Sequence, residues 1–268
     1  MAKTTKTFSN PLTIETTLAN LPGPAHPKGL PAKDSIVSMT TAGTGNFTII
    51  HTNEVDAYEE AAKGPTFLAA AAAKLPPGDD FAGTARKAAK LSISAAKIEN
   101  FKDVKALIES LVADAKMIAH KPKIGTGATS KRVKEEERNI HVTAFMYAAS
   151  READNDFHLI IGRDPTASPE MYMTMELSGL PPKTSPAFAQ LKATRDAFKK
   201  FFKGIPGGKL PGLAYDFYQP PVPVQIDGSL FFDMTHATGQ HPGPPSLKSR
   251  MPVIWEIHPI TKIVLKKP

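Results

Sequence analysis

Apolar and polar residues alternate along three consecutive segments in the second half of the chain. These segments are NIHVTAFMYAAS, DFHLIIGR and EMYMTMELSG, and short polar stretches separate them. A period of two, with many β-branched and aromatic residues, is typical of β-strands. The pattern therefore predicts three strands joined by short turns.

A helix and two further strands are predicted after these three strands. The segment SPAFAQLKATRDAFKKFFKG places apolar residues at roughly helical spacing after a Ser-Pro start, and VPVQIDGSLFFDMT and VIWEIHPITKIVL have strand character. The resulting order β-β-β-α-β-β is that of the five-stranded OB barrel, whose helix lies between strands three and four. We therefore predict a five-stranded OB-like β-barrel with one helix in residues 139–268.

The first half of the chain has a mixed pattern of short strands and helices. The segment DSIVSMTTAGTGNFTIIHTNE predicts a hairpin around Gly43 and Gly45, because AGTGN lacks the Gly-Lys-Ser/Thr of a phosphate-binding loop. Two helices are predicted farther on, in the Ala-rich FLAAAAAKLPPG and in NFKDVKALIESLVADAKMIAHK. Residues 34–120 are thus predicted to be a mixed α/β region, and the whole chain is predicted to belong to the α+β class.

Two segments rich in Gly, Pro or charged residues divide the chain. Residues 1–33 contain LPGPAHPKGLPAK and are predicted to be an extended arm, because Pro and Gly interrupt the hydrogen bonding of helices and sheets. Residues 121–138, KPKIGTGATSKRVKEEER, contain almost no large apolar side chain and predict a linker. A boundary between the N-terminal region and the barrel domain is therefore predicted near Arg138.

Composition and charge restrict the classes of function. The 268 residues are 41% hydrophobic and 22% charged, which is typical of a globular protein. A formal net charge of +7 and a pI of about 9.4 favour polyanionic partners such as nucleic acid. The absence of cysteine excludes disulfides and thiolate metal sites. We find no signal sequence and no apolar run that predicts a membrane span, so we expect a cytoplasmic protein, with a mature secreted or periplasmic form as the alternative.

Three motifs in the second half resemble those of a known family. The motifs are DFHLIIG, DGSLFFDMTHA and WEIHPI, and they contain the signatures Phe-Phe-Asp-x-x-His and Glu-x-His-Pro. In these motifs the chain resembles a family of uncharacterised bacterial OB-fold-like proteins over residues 139–265. The resemblance implies the OB-like fold and implies no activity.

The same region is distantly similar to the barrel of the micrococcal-nuclease family. The acidic turn of that family resembles EADNDFHLIIGRDP, in which Asp156 has a counterpart. The rest of the catalytic set is missing, since Thr174 lies at the phosphate-binding arginine, Gly179 at the metal-binding aspartate and Pro182 at the general-base glutamate. The similarity therefore implies a nuclease-like fold without that nuclease mechanism, which needs both charge neutralisation and a base.

Acidic and histidine side chains cluster at the ends of predicted strands. Residues two apart on a strand point to the same face, so the polar side chains of DNDFH share one face, as do those of EIH. Two interpretations are open: hydrogen-bonded pairs that fix the strand ends, or ligands of Zn, Mn or Fe in a metal-dependent hydrolase. We favour the structural pairs and predict no cofactor, because the spacing matches no compact metal motif. The candidate metal ligands are Asp154, Asp156, His158, Asp233, His236, Glu256 and His258.

Aromatic and basic residues of the predicted barrel indicate a binding surface. OB barrels bind single-stranded nucleic acid with aromatic rings that lie beside Lys and Arg. The Pro-rich segment 211–223 is predicted to be a loop that contacts a protein or a carbohydrate, because rigid aromatic rings bury area at little entropic cost. We therefore predict a non-catalytic binding protein for nucleic acid or another polyanion, with a structural or assembly role through this segment as the alternative. The candidate binding residues are Arg151, Phe157, Arg163, Tyr172, Lys248 and Arg250, together with Tyr215 and Tyr218 of the segment 211–223.

Overall fold

The structure of the protein is a computed structural model that describes residues 28–43, 45–56, 76–237 and 242–267. Most of the predicted arm at residues 1–33 lies outside the described residues, and so does most of the predicted Ala-rich helix at residues 67–78. The strands are β1 (Ile36–Ala42), β2 (Phe47–Thr52), β3 (Ile98–Phe101), β4 (Asn139–Arg151), β5 (Phe157–Gly162), β6 (Tyr172–Leu177), β7 (Asp216–Phe232) and β8 (Trp255–Leu265). The α-helices are α1 (Lys87–Lys90), α2 (Val104–Glu109), α3 (Asp114–Ile118) and α4 (Phe188–Lys203).

The described strands form one eight-stranded sheet with the order β1-β2-β7-β8-β6-β5-β4-β3. Strand β4 also pairs with β7, so the series β4, β5, β6, β8 and β7 returns to its first member. Neighbouring strands are antiparallel, except that β3 is parallel to β4 and β6 is parallel to β8. The protein is therefore of the mixed α+β class, as predicted, and its main element is the sheet.

The sheet has eight strands, where we predicted five for the barrel domain, because two later strands also pair with strands from the first half. Strand β7 is 17 residues long, and its first residues, Asp216 to Gln219, pair with β2. Strand β3 pairs with the start of β4. Backbone groups that would otherwise lie at an exposed strand edge are thereby hydrogen-bonded.

The predictions for the first half are confirmed in part. Strands β1 and β2 form the predicted antiparallel hairpin. The single helix predicted from NFKDVKALIESLVADAKMIAHK is wrong, because the structure has the two short helices α2 and α3 in its place. Helix α2 ends where the Ser110 hydroxyl donates to the Leu107 carbonyl and the Leu111 N–H bonds to Ile108 instead of Leu107. Side-chain bonds of this kind compete with the helical pattern.

The predicted linker, residues 121–138, contributes Glu136 to a buried ion pair with Arg86. Glu136 is completely buried and accepts two hydrogen bonds from the Arg86 guanidinium, at 2.6 and 2.8 Å. It also accepts one from the Phe232 N–H at 2.8 Å. Arg132 donates to backbone carbonyls on both sides of the predicted boundary, including those of Ala89 and His258. These contacts and the sheet pairings join residues on both sides of Arg138. The domain boundary near Arg138 stays a prediction.

The main apolar core lies on one face of the later strands. It contains alternate residues of β5, β6 and β8 together with Phe198 and Phe202 of α4. Residues after α2 cover the sole tryptophan, since Trp255 Nε1 donates to the Val112 carbonyl at 2.7 Å and the Ile254 N–H donates to Asp114 at 3.0 Å. The opposite face of the same three strands is therefore left for other side chains.

Substitution of Glu136 by Gln should lower the free energy of unfolding by about 3 to 5 kcal/mol, because it leaves the buried Arg86 guanidinium without its anion. Urea-induced unfolding measures this loss. Glu137→Gln is the matched control, since Glu137 is exposed and its substitution should change the free energy by less than about 0.5 kcal/mol. Equal effects of the two substitutions would contradict the role of the buried pair.

Candidate metal centre

Three neighbouring strands carry polar side chains on one face. His158 of β5 pairs in register with Glu176 of β6, and Thr174 of β6 pairs with Glu256 of β8. His258 follows Glu256 by two residues and so points to the same side of β8. The residues between these positions belong to the apolar core on the other face. Period-two alternation thus places five polar side chains together on the side of the sheet that faces away from the core.

Residues from distant parts of the chain cover this polar face. Lys90 of α1 places its Nζ 3.6 Å from Asp154, 3.9 Å from Asp156 and 3.8 Å from Glu176. The side chains of Lys90, Glu152 and Asp154 retain 11, 18 and 20% exposure, whereas that of Glu176 retains 4%. The cluster is therefore buried, and Asp154 and Glu152 are the most exposed of these four side chains.

His236 forms a hydrogen-bonded network with two aspartates. Its Nδ1 lies 2.5 Å from Asp233 Oδ2, and its Nε2 lies 3.4 Å from Asp56 Oδ1. Burial alone would lower the pKa of His236, but the hydrogen bonds to Asp233 and Asp56 raise it to about 11. The N–H and hydroxyl groups of Thr235 also donate to Asp233. This geometry supports the structural interpretation for Asp233 and His236.

Five other residues of the cluster present polar atoms that have no hydrogen-bond partner. All five are at most 3% exposed. A buried polar group without a partner typically costs about 1 to 3 kcal/mol, so such groups are rare in folded proteins unless a ligand or water binds them. The unpartnered atoms are Asp156 Oδ2, His158 Nε2, Glu176 Oε2, both carboxylate oxygens of Glu256 and both ring nitrogens of His258.

The contacts of His258 are short without being hydrogen bonds. Its Nδ1 lies 2.8 Å from Glu176 Oε2, and its Nε2 lies 3.3 Å from Asp156 Oδ2. Neither contact has full hydrogen-bond geometry, although Glu176 and Asp156 outweigh burial and raise the pKa of His258 well above its ordinary value. The other oxygen of Asp156 accepts a hydrogen bond from the Gly179 N–H, which holds the carboxylate in place. Donor atoms therefore converge on one volume instead of pairing with one another.

Several carboxyl groups of the cluster have raised pKa values, even though neighbouring carboxylates also outweigh burial and raise the pKa of His158 to about 9 and that of His258 well above its ordinary value. Burial and the charge of Glu176 raise the pKa of Glu256 to about 7 and that of Glu152 to about 8. Burial and the charge of Asp154 raise the pKa of Asp156 to about 7. Glu176 differs from these three carboxyl groups, because His258 and Lys90 outweigh its burial and hold its pKa well below the ordinary value; His236 likewise outweighs burial and lowers the pKa values of Asp233 and Asp56. A divalent cation would supply the missing charge.

The donor atoms are close enough to hold a metal ion. Three groups each bring one ligand atom per residue within 4.8 Å of the others. Ligands that bind zinc tetrahedrally at about 2.1 Å are separated by about 3.4 Å, which is close to the contacts of His258. Imidazole and carboxylate donors suit Zn, Mn and Fe. The groups are Glu152, His158 and Glu176; Asp156, Glu176 and His258; and Asp233, His236 and Glu256.

Asp154, the remaining candidate ligand, lies in the turn before β5. Its Oδ1 accepts a hydrogen bond from the Asp156 N–H at 3.2 Å. Its Oδ2 lies on the Lys90 side of the cluster, and Asp154 belongs to none of the three ligand groups among the described residues. The structure thus assigns Asp154 a role in holding the turn and neutralising Lys90.

The four predicted binding aromatics are buried. Each ring is at most 2% exposed, because it packs into an apolar cluster or against neighbouring rings. A buried ring cannot stack on a nucleic acid base or a sugar in this conformation. These residues are Phe157, Tyr172, Tyr215 and Tyr218.

The segment 211–223, predicted to be a loop, is largely part of β7, which begins at Asp216. Pro220 and Pro221 fit a strand because the pairing with β4 shifts register there: Met146 pairs with Val222, whereas Ala148 pairs with Phe217. Residues in the bulge between these pairs need not donate to the ladder, so proline is tolerated.

The predicted arginines are paired within the protein. Each of the three arginines is bound to a side chain of the protein itself, and Lys248 lies in a short 3-10 helix with Arg250. Such internal pairing reduces their availability for phosphate groups. The contacts join Arg151 to Asn155, Arg163 to Asp103 and Arg250 to Glu170.

Four members of the cluster were not predicted from the sequence. Glu176 had a visible signal, because Thr174 and Glu176 alternate with methionines in MYMTMEL as a polar strand face would. Glu152, Lys90 and Asp56 had none, since only the folded chain brings their segments to the strands.

Comparisons with protein-family models, curated proteins and solved structures gave no match to this chain. The resemblance to OB-fold-like proteins therefore stays a prediction. None of the described helices is both long and apolar enough to span a membrane.

Substitution of Lys90 by Met should destabilise the metal-free protein by about 3 kcal/mol, because buried carboxylates lose their cation. Adding Zn²⁺ or Mn²⁺ should recover most of this loss, because the ion replaces the ammonium charge. Thermal unfolding in chelator and in excess metal measures both effects. Lys87→Met is the matched control on the same helix, since the Lys87 ammonium lies over the Phe81 ring. A loss that metal does not recover would contradict this interpretation.

The metal-free protein should lose stability as the pH rises from about 5 to about 8. Over this range the raised pKa values of Glu152, Asp156 and Glu256 make the folded state bind more protons than the unfolded state, so the free energy of unfolding falls with pH. Urea titrations at several pH values measure the slope.

Excess divalent metal should flatten this slope, because coordination replaces the bound protons. Glu256→Gln should also flatten it. Glu99→Gln should not, because Arg138 lowers the pKa of Glu99 and its titration lies below this range. A free energy of unfolding of the metal-free wild type that increases from pH 5 to 8 would contradict the raised pKa values of these three carboxyl groups.

Proposed function

We propose that the protein is a metal-dependent hydrolase whose metal ligands are Asp156, Glu176 and His258. The observation that carries this proposal is the convergence of buried donor atoms that lack hydrogen-bond partners. Simple structural pairing, as in the Asp233–His236 network, would leave few such atoms. A metal ion would satisfy the lone pairs and offset the carboxylate charge together.

Glu256 is the general base of this proposal. Both of its oxygens are unpartnered, and its Oε2 lies 3.6 Å from His258 Nδ1, at the edge of the ligand group. Its pKa, raised to about 7 by burial and Glu176, suits proton exchange near neutral pH. Lys90, on the solvent side, is placed to stabilise negative charge that develops on a substrate.

The reaction is hydrolysis of an ester. A cation held by Asp156, Glu176 and His258 would lower the pKa of a water molecule, so that Glu256 would take one of its protons while the water oxygen forms a bond to the phosphorus or carbonyl carbon. The bond from that atom to the leaving oxygen breaks, and the leaving oxygen takes up the proton from Glu256. Ester and water thus become acid and alcohol, and the base is regenerated.

The fold proposal is an OB-like barrel. Its support is the series β4-β5-β6-β8-β7 with the additional β4–β7 pairing and the position of α4 between β6 and β7. This is the strand order and helix position of an OB fold. On this proposal the polar cluster lies on the outer face of the barrel wall, where the N-terminal region covers it.

Anionic substrates remain the proposed ligand class because of the net charge of +7. Nucleic acid binding stays a prediction, and it would depend on charge, because the aromatic residues first proposed for stacking are buried. The burial of Tyr215 and Tyr218 likewise removes the support for a protein or carbohydrate contact through these two rings.

Metal content and hydrolysis together test the proposal. After loading with Zn²⁺ or Mn²⁺ and dialysis, the wild type should retain metal by elemental analysis and hydrolyse bis(p-nitrophenyl) phosphate or p-nitrophenyl acetate. Glu256→Gln should keep the metal and lower kcat about 100- to 10,000-fold, because it removes the base. His258→Ala should lose the metal.

His141→Ala is the control for these measurements. His141 lies on β4, pairs with Asp227 and is outside the three ligand groups, so metal content and kcat should be unchanged. A wild type that retains no metal would refute the proposal. Retained metal without hydrolysis of either ester would show a structural metal centre instead.

A further inference from the structure

We infer that the centre binds two divalent cations that share Glu176. The two-cation centre rests on the proposed function, because its first ion is the metal of Asp156, Glu176 and His258. The second ion is held by His158 Nε2 and Glu176, and Glu152 orients the imidazole from its Nδ1 side. Glu176 is the one residue common to these two ligand groups.

His158 has the arrangement of a metal-binding imidazole. It is completely buried, and its Nδ1 lies 2.6 Å from Glu152 Oε1 and 3.2 Å from the Tyr215 hydroxyl. Its Nε2 has no hydrogen-bond partner. Metal-binding histidines commonly use one nitrogen for a carboxylate and the other for the metal. This unpartnered nitrogen is the observation, independent of the carboxylates, that indicates a second ligand site.

Glu176 is placed between the two imidazoles by the sheet. It pairs in register with His158 on β5, and its Oε2 lies 2.8 Å from His258 Nδ1 on the other neighbouring strand, β8. A carboxylate has two oxygens and can bind one cation with each. Paired metal ions in hydrolases lie about 3.5 to 4 Å apart, a separation that one shared carboxylate can span.

The third ligand group does not extend this pair to three ions. Asp233 and His236 are bonded to each other, and Thr235 and Asp56 bind their remaining polar atoms. Glu256, the other member of that group, serves as the base of the proposed reaction. The unpartnered donors thus account for two ions.

Two adjacent cations favour phosphate esters as the substrate class. One ion stabilises the attacking oxygen and the other the leaving oxygen of an in-line displacement at phosphorus. The water oxygen forms the new bond to phosphorus, the bond to the leaving alkoxide breaks, and the proton held by Glu256 passes to that alkoxide. The reaction requires no oxidant or further reactant.

Manganese binding to the full-length protein tests the number of ions. Elemental analysis of Mn²⁺-loaded wild type should give two ions per chain, and His158→Ala should give one. Glu176→Gln should give none, or less than half an ion, because both groups lose a ligand. Electron paramagnetic resonance should show an exchange-coupled Mn²⁺ pair in the wild type and an isolated six-line Mn²⁺ signal in His158→Ala.

The outcomes distinguish a failure of the second metal site from a failure of the proposed hydrolase function. No bound metal in the wild type would refute both. One ion per chain, with an isolated signal that His158→Ala leaves unchanged, would refute the second site and leave the hydrolase proposal intact. Glu152→Gln repeats the test if His158→Ala does not fold, and it should lower the occupancy of the second ion. His141→Ala should retain two ions and the coupled signal.

Faster hydrolysis of bis(p-nitrophenyl) phosphate than of p-nitrophenyl acetate is expected of the two-ion form. The preference should fall at least tenfold in His158→Ala, because one ion alone cannot bind both the attacking and the leaving oxygen. An unchanged preference in a variant shown to hold one ion would contradict the assignment of phosphate esters.

Discussion

Negative charge buried on one face of β5, β6 and β8 is the constraint on which the candidate site depends. A carboxylate removed from water must gain hydrogen bonds or a nearby cation, since otherwise its charged form is strongly destabilised. Glu176 and Asp156 each have His258 and Lys90 within 4 Å. The pKa of Glu176 is held low, whereas burial and the charge of Asp154 raise that of Asp156, and burial and the charge of Glu176 raise that of Glu256. The cations of the cluster therefore keep Glu176 ionised without lowering the pKa values of Asp156 and Glu256.

The position of Lys90 links this charge problem to the architecture of the whole chain. Helix α1 has only four residues, and a helix of that length is not stable by itself. Arg132 fixes its end by donating to the Ala89 carbonyl and, with the same guanidinium, to the His258 carbonyl on β8. The buried pair of Arg86 and Glu136 fixes its start. A segment with the composition of a linker therefore aligns the lysine with the strands that need its charge.

The sequence predicted the parts of this structure that depend on local pattern. The strands and α4 of the second half follow from the alternation and helical spacing of their apolar residues, as does the β1–β2 hairpin. The prediction of one long helix before residue 121 was wrong, because the Ser110 hydroxyl donates to the Leu107 carbonyl where α2 ends. The spacing of apolar residues does not reveal such a side-chain hydrogen bond. Glu176 could have been found from the alternation in MYMTMEL, but Lys90 could not, because its role arises from contacts between segments far apart in the chain.

The contrast between His236 and His258 shows why residue types alone did not decide the chemistry. His236 lies three residues after Asp233 in a turn, where the backbone can rotate until ring and carboxylate meet in a hydrogen bond. His258 meets Glu176 from a neighbouring strand, where the pleat fixes both side chains side by side with Cβ atoms about 5 Å apart. Cross-strand pairs of this kind can hydrogen-bond, as His141 does with Asp227 across β4 and β7, but the contact of His258 with Glu176 lacks that geometry. A cation placed between the tips would accept lone pairs from both, so the orientation of these two side chains favours coordination.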